Sequence, residues 1–518
     1  MDAQAERKNQ APSKNANSAF AELGLAATVK VLCEEIRELY QWDQIPWVVG
    51  YSGGKDSSAV LQLIWLALRE LPPEQRTKPV HVISTDTLVE QPLVAAWVDA
   101  SHAKIRTAAA EQGLPITPHK LTPAVKDAFW VNLIGKGYPA PRHSFRWCTS
   151  RMKINPSNNF IRNVIRENGE ALLVLGTRKA ESQRRGRQME SHEKQSRRAF
   201  SNERLTLNAN LPNSRVFTPV EDWTNDDVWL FLMQVKNPWG HTNKSLLGMY
   251  QGASTDGECP LVVDSSTPSC GNSRFGCWVC TVVDKDRSME AMIKNDDEKV
   301  WMTPLLELRN ELGDFSQERS RRDYRRMHGR VELFGKDEAN LAIIRGPYTK
   351  KAREFWLRRV LETQMQIRRL GPPEFREIEL VSLPELQEIR RLWLYEKHEF
   401  DDSLPAIYEE VTGQAFPKPA LDDNPLGSED WQLLKEVCGD DEQFFELQAS
   451  LLDIEREFRG MSRRAGIYEK LEDRLQASQF SGEEEALTIR RDEERRRRTA
   501  TAELAVGQRS LFEDAEAE

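Results

Sequence analysis

Six consecutive residues, Ser52-Gly53-Gly54-Lys55-Asp56-Ser57, carry the densest chemistry in this 518-residue chain. Two adjacent glycines let successive backbone N–H groups curl around an anion, and a helix starting just after them adds its dipole. Lys55 can pair with a phosphate oxygen, and Ser57 can donate its hydroxyl. Asp56 is an odd neighbour for an anion unless a cation binds as well; Mg²⁺ bridging its carboxylate to phosphates resolves the conflict. The pattern is not the Walker loop, because the four-residue spacer before Gly-Lys is missing. A bare Gly-Gly would read as a generic strand-to-helix turn. The whole hexapeptide behind a buried strand reads as a phosphate cradle.

Four of the seven cysteines form a second constellation, Cys259-x10-Cys270-x6-Cys277-x2-Cys280. Four thiolates suit Zn²⁺ or an iron–sulfur cluster. A zinc ribbon usually has two C-x-x-C knuckles, whereas only Cys277 and Cys280 make one. The uneven gaps and the apolar cover from Phe275, Trp278 and Val279 favour [4Fe–4S] over zinc, with four unrelated buried thiols as the bland alternative. Cys148 stands apart in a basic segment. Its surroundings leave two readings open, a sulfur-carrying nucleophile and a small buried residue. An odd cysteine count argues against a disulfide framework.

These groups need elements to hold them. Trp47–Tyr51 is a short apolar run with β-branched residues, read as a buried strand, and an apolar helix follows the cradle until Pro72-Pro73 stop it. Val80–Ser84 is a strand ending in Thr85-Asp86-Thr87, and a helix spans about 92–112. Ala171–Gly176 is another buried strand after a helix at about 156–168. Strands alternating with helices, with continuous apolar runs in the strands, predict a doubly wound parallel sheet of the α/β class. Such sheets bind ligands at the carboxyl ends of their strands, where Ser52–Ser57, Asp86 and Thr177-Arg178 all fall. Thr224 reads as an N-cap after a loop, and 25–41 as a helix with Val29, Leu32, Ile36 and Leu39 on one stripe.

Composition bounds the rest. The chain is 39% hydrophobic and 30% charged with a net charge of −9, as expected for a polar globular protein. No run of about 18 apolar residues exists, so no membrane association is expected. The polar N-terminus lacks an apolar signal core, which argues against a secretory signal, and a cytoplasmic location is expected. The charge is unevenly spread: 142–198 holds fourteen Lys or Arg against five Asp or Glu, and Arg319–Arg330 is a second basic run. Such runs are often only solvated surface, but they can attract a polyanion locally. The expected organisation is a frayed tail over 1–24, the sheet domain over 25–240, and a cysteine-rich region over 241–286. A mostly helical region over 287–480 and a charged tail over 481–518 complete it.

The hexapeptide resembles the PP-loop ATP pyrophosphatase superfamily, whose sheet is of the adenine nucleotide α-hydrolase type and whose members cleave ATP between its α- and β-phosphates. Further segments resemble its phosphoadenosine-phosphosulfate reductase branch: Ser84–Thr87, Arg146-Trp147-Cys148-Thr149 with Lys153, Gly176–Ser182 with Arg184 or Arg185, and Pro219–Thr224. The resemblance spans about 45–240. It implies that Ser52, Gly53, Gly54, Ser57, Asp86 and Gly176 line the nucleotide site. It implies also that Lys153 and Arg178 face the phosphates beside Lys55 and Asp56, and that Arg146, Arg184 and Arg185 hold an anionic substrate. Two departures separate the chain from sulfonucleotide reductases. The last cysteine is Cys438, and the position of a Cys-Cys pair reads Cys148-Thr149. The whole pattern, with Gly335–Glu338 and Arg345–Tyr348, is similar to the DndC family of DNA phosphorothioation sulfurtransferases. That resemblance implies ATP, Mg²⁺ and a [4Fe–4S] cluster as cofactors. It implies DNA, a cysteine desulfurase supplying sulfur, and other Dnd phosphorothioation proteins as partners. The SspD type of single-strand phosphorothioation, a tRNA thiolase and a sulfonucleotide reductase share parts of the pattern and remain alternatives.

Overall fold

The computed structural model describes residues 18–181, 204–208, 211–253, 275–335, 340–397, 399, 401–417, 428–439 and 441–515. The chain divides into two compact units, one of 1–129 with 141–310, the other of 130–140 with 311–518.

The first unit is built on a six-stranded sheet of order β3-β2-β1-β4-β6-β5. Its strands are β1 (Trp47–Gly50), β2 (Val80–Thr85), β3 (Ile116–Leu121), β4 (Ala171–Val174), β5 (Leu205–Leu207) and β6 (Ser214–Phe217). The first four and β6 run parallel, as the apolar runs of β1, β2 and β4 predict; β5 pairs antiparallel with β6 and closes that edge. Side chains alternate across the sheet. Trp47 and Val49 face a core made with α1 (Gly24–Trp42), α2 (Lys55–Arg69) and α3 (Pro92–Glu111). Val48 points the other way, to Ile161 and Val164 of α4 (Asn155–Asn168). Helices therefore cover both faces, and the fold is the doubly wound α/β type expected. Its chain runs outward from β1 to β3, then returns to β4 on the opposite side of β1. The β1/β4 boundary is thus the switch point where such sheets open a ligand crevice.

Two helices after the sheet complete this unit's site-bearing face. Thr224 caps α5 (Asn225–Gln234) in a capping box with Asp227. The same Asp227 accepts bonds from the Ser18 hydroxyl and the Ala19 amide, so Ser18, Ala19 and the buried Phe20, placed in a tail by sequence, are packed; 1–17 lie outside the described residues. The helix α6 (Asn243–Gly252) is tied to α2 by Gln62 Nε2 donating to Asn243 Oδ1 at 3.0 Å.

The second unit is mainly helical, with long helices at Lys350–Leu370, Leu383–Tyr395 and Glu442–Phe458. Residues 130–140 belong to it: Trp130 Nε1 donates to Leu380 O at 2.7 Å, and Trp393 Nε1 to Ile134 O at 3.0 Å. The motif Arg345–Tyr348 is structural. Gly346 and Pro347 exchange backbone bonds with Asp323, Tyr348 N donates to Gly137 O, and a side chain on Gly346 would overlap the Arg325 carbonyl. In the basic run, Arg322, Arg325, Arg326 and Arg330 pair with Glu318, Asp323, Glu332 and Asp473. Their charge is balanced within the unit, so for them the bland reading holds. Of the motif Gly335–Glu338 only Gly335 lies among the described residues. No helix there is long and apolar enough to cross a membrane.

Candidate nucleotide and thiol site

The cradle forms where β1 runs into α2. Gly53 takes φ of +74°, a conformation open to glycine, and an added Cβ would lie 2.7 Å from Val98 Cγ2. Gly54 is the extended N-cap of α2. The Ser57 hydroxyl donates to Gly54 O at 3.0 Å and accepts from Ser52 N at 3.2 Å, which ties the two ends of the turn together. The α2 helix starts at Lys55, so the N–H groups of its first turn and the positive end of the dipole face the turn.

Asp56 is the hub of the cradle's charges. Its Oδ2 lies 3.0 Å from Lys55 Nζ, and its Oδ1 accepts from Arg178 Nε at 2.7 Å. Two cations explain the carboxylate beside an anion site without a bound metal. Each oxygen still has a lone pair free for Mg²⁺ arriving with a nucleotide. Arg178 comes from the end of β4, is 4% exposed, and also donates to Trp223 O at 3.2 Å. Its neighbour Lys179 reaches Glu221 at 3.1 Å and Asp222 at 2.8 Å. Burial raises the pKa of Glu221, opposed by bonds from Thr218 and Lys179. The segments 177–179 and 219–223 thus interlock, and their product is a fixed guanidinium under the cradle.

Gly176 makes the close approach possible: a Cβ there would meet the backbone oxygen of Asp56 at 2.8 Å and Ser57 N at 3.1 Å. Gly176→Ala must push β4 from the first turn of α2. Overpacking of this kind costs about 1–3 kcal/mol. We expect a lower melting temperature and at least about a tenfold weaker affinity for ATP. Titration calorimetry giving wild-type affinity in the variant would refute the role of this contact.

Behind the cradle lies a buried brace. Trp97 Nε1 donates to Gly53 O at 3.1 Å, and the Trp97 ring stacks on His241 at 4.0 Å between centroids. His241 Nδ1 bonds the Ser101 hydroxyl at 2.8 Å. His102 Nε2 bonds Ser84 Oγ at 2.7 Å, and Ser84 Oγ donates to Tyr51 O at 2.5 Å. Burial pushes both imidazoles down to about 4; Lys104 adds to this at His241, and at His102 Asp99 opposes while Arg106 and Lys120 add. Between pH 6.5 and about 4 the unfolded chain takes up protons that the native histidines refuse. Stability therefore falls as pH drops through that window, by at most about 3 kcal/mol for His102 and by less for His241, whose charge solvent screens more. Thermal melts across the window check this. His241→Gln should flatten the slope, and an unchanged slope would remove His241 as its source.

The thiols meet the sheet at the end of β2. Asp86 pairs with Lys120 at 3.0 Å. One residue on, the Thr87 hydroxyl donates to Glu90 Oε1 at 2.9 Å and lies 3.3 Å from Cys277 Sγ. Backbone bonding joins Glu90 and Cys277, and Trp278 N donates to Val89 O at 3.0 Å. Lys153 Nζ lies 3.6 Å from Glu90 Oε1. Burial lowers the pKa of Lys153, but Cys277 and Glu90 outweigh it and hold the ammonium above its usual value. Burial, helped by Glu90, pushes Cys277 up to about 12. Lys153 is thus placed at the thiol end of the site, against Glu90.

Cys148 begins a wide helical turn, Thr149–Ile154, that feeds α4; π-type turns of this kind are frequent at functional sites. Burial raises its pKa, and Cys280 lies near enough to raise it further, so the lone thiol of the sequence neighbours the C-x-x-C pair. Cys280 N donates to Cys277 O at 3.0 Å, closing a turn covered by Trp278 and Val279, each 1% exposed. A turn bearing two half-buried thiols suits a thiolate-ligated group. Cys259 and Cys270 lie outside the described residues, and among those described no group of three His, Cys, Asp or Glu is placed to hold a metal ion. Arg146 is exposed and bonds His143 at 2.8 Å; Arg184 and Arg185 lie outside the described residues. Thr87 apart, the linking groups Glu90, Lys120, Trp97 and His241 were not singled out by sequence. Only their nearness to the motif at 84–87 or the cradle could have marked them.

Residues 46–282 match the family model described as the phosphoadenosine phosphosulfate reductase domain. An uncharacterized protein of Methanocaldococcus jannaschii is 24% identical over 266 residues, which is 51% of this chain and 42% of that protein. The chain therefore spans less than half the length of this curated relative. The phosphoadenylyl-sulfate reductase of Candida auris, solved as a phosphate complex, aligns at 13% identity and a TM-score of 0.26, over 41% of this chain and 86% of that one. The span that holds the cradle, Arg178, Cys148 and the Cys277–Cys280 turn is, by the family match, similar to the phosphoadenosine phosphosulfate reductase domain.

Proposed function

We propose that this chain cleaves ATP to AMP and pyrophosphate, and so activates a DNA backbone phosphate for replacement of a non-bridging oxygen by sulfur. The observation that carries the first half is the Lys55–Asp56–Arg178 arrangement under a two-glycine turn at the β1/β4 switch point. It offers fixed positive charge and backbone N–H groups where a polyphosphate's charge would concentrate, the main means by which proteins promote phosphoryl transfer. The second half is supported by Cys277 beside the end of β2, by Cys148 lying near enough to Cys280 to interact with it, and by the match to a family of sulfonucleotide chemistry.

In this reading a phosphodiester oxygen attacks the α-phosphorus of Mg-ATP, and pyrophosphate leaves. The adenylylated oxygen is now part of a good leaving group. A sulfur nucleophile attacks the DNA phosphorus, and AMP departs with the original oxygen. Cys148 is the residue we assign to carry sulfur, as a persulfide delivered by a cysteine desulfurase, other Dnd-type proteins being the further partners. The outer sulfur of the persulfide is the nucleophile. An external dithiol, oxidised to its disulfide, then cleaves the S–S bond and releases the phosphorothioate and the Cys148 thiol. Lys153 holds positive charge near it. Cys259, Cys270, Cys277 and Cys280 would hold a [4Fe–4S] cluster, which when bound supplies electron density and order at the thiol end. Arg146, Arg184 and Arg185 would contact the DNA backbone, which positions the strand without reading its sequence.

The test is direct. Anaerobically purified protein with Mg-ATP and DNA should release pyrophosphate and AMP. Release of ADP and phosphate alone would refute the reading. Thiol-dependent sulfite from phosphoadenosine phosphosulfate, with no ATP cleavage, would make the protein a sulfonucleotide reductase.

A further inference from the structure

Tyr250 reaches the cradle from 195 residues away in sequence. It lies near the end of α6, and its hydroxyl sits at the first turn of α2, accepting from Lys55 N at 3.5 Å. Lys55 Nζ lies 5.5 Å from the centre of its ring. A Cβ on Gly54 would be 3.2 Å from the same hydroxyl, so this glycine leaves the oxygen its room. The ring is held edge-on between Trp229 at 5.1 Å and Phe275 at 4.8 Å, and the residue is 8% exposed.

A phenol can donate one bond and accept others. Tyr250 accepts from Lys55, and among the described residues nothing accepts its proton. A buried hydroxyl proton without an acceptor costs free energy, and here it sits at the mouth of an anion-binding turn. Burial and the charge of Asp56 hold the phenol well above its usual pKa, so the proton stays on the oxygen. Packing keeps the ring in place, so it meets a ligand without first being ordered.

We propose that Tyr250 is a phosphate-binding residue of the cradle, its hydroxyl donating to an oxygen of the polyphosphate that Lys55 and the Gly53-Gly54 turn enclose. The inference rests on the nucleotide reading of this site and adds to it a donor from outside the strand ends. A neutral donor next to Lys55 adds directionality that an ammonium lacks, because a hydroxyl bond is angle-dependent. The group it would hold is the β,γ end of ATP, the part that departs as pyrophosphate.

Inorganic pyrophosphate is the probe. Tyr250→Phe in the full chain keeps the ring between Trp229 and Phe275 and removes only the hydroxyl. We expect its dissociation constant for pyrophosphate, by titration calorimetry, to rise about tenfold, as loss of a bond to a charged group implies. Its unliganded melting temperature should stay within about 2 °C of wild type, since no partner of the proton is lost. Equal affinity in the two proteins would overturn the role of Tyr250 while leaving the nucleotide reading intact. A wild type that binds neither pyrophosphate nor Mg-ATP would overturn both. If the variant fails to fold, 3-fluorotyrosine placed at 250 gives the second measurement. Its ¹⁹F resonance should shift on adding pyrophosphate, and a stationary signal under saturation would overturn the proposal.

Discussion

Asp56→Ala is expected to lower the release of pyrophosphate from ATP by about a thousandfold, the upper range for losing one element of a preorganised charge site. The carboxylate holds Lys55 Nζ at 3.0 Å and Arg178 Nε at 2.7 Å. Without it, two like charges lose the anion that sets their positions, and Lys55 Nζ loses its carboxylate partner at 3.0 Å. Arg178 is 4% exposed, so its guanidinium would remain buried and uncompensated. Breaking such a pair costs about 3–5 kcal/mol, and the melting temperature should fall as well. Asp56→Asn separates the two effects. The amide oxygen can still accept from Arg178, so the fold should survive better than the chemistry. A coupled pyrophosphate assay and thermal melts of both variants are sufficient. If Asp56→Ala keeps more than about a tenth of wild-type turnover, the aspartate is a structural counter-ion and not part of the phosphate site.

The sheet and the cradle were legible because their signals are local. A buried strand, two glycines and an apolar helix lie within 23 residues, and each element's type follows from its own run of side chains. The parallel order followed from strands without alternation. The antiparallel β5 was not legible, because three residues carry too little pattern to read. The role of Gly176 could be guessed from the motif, but the reason for it, a backbone contact with Asp56, exists only once β4 lies beside β1. Tyr250 and Glu90 were harder still. They are common residue types in unremarkable segments, and they matter through partners 195 and 187 positions away. Residues 130–140 pose the same problem on a larger scale: Trp130–Ile134 is an apolar run that would suit either compact unit, and nothing local assigns it to the helical one. The thiols show where spacing misleads. Cys148 lies 129 positions before Cys277 in number, yet it lies close enough to Cys280 for that thiol to raise its pKa.

That nearness bears on the second large effect. Cys277→Ser is expected to abolish sulfur insertion into DNA while leaving ATP cleavage within about tenfold of wild type. Sulfur chemistry should be lost because serine is a poor ligand for a soft metal centre and no source of a thiolate. Iron content, measured on anaerobically prepared protein, should fall with it. ATP cleavage should persist because the polar contacts described for the cradle link Ser52, Gly53, Gly54, Lys55, Asp56, Ser57 and Arg178 to one another and to Trp97, Trp223 and Tyr250, and among the described residues none of them passes through Cys277. It should not persist untouched, because Cys277 Sγ lies 3.3 Å from the Thr87 hydroxyl, one residue beyond Asp86. A serine oxygen is smaller than sulfur and would loosen that contact without removing it. Thr87→Val is the complementary change: it keeps the thiol but removes the hydroxyl shared by Glu90 and Cys277. Its effect on ATP cleavage should match that of Cys277→Ser, while its iron content stays at the wild-type level. Folding is checked by melting each variant, since a metal site contributes directly to stability. If folded Cys277→Ser protein loses all ATP cleavage, the thiol end is part of the nucleotide machinery. If both activities survive unchanged, the contact at the end of β2 is only packing.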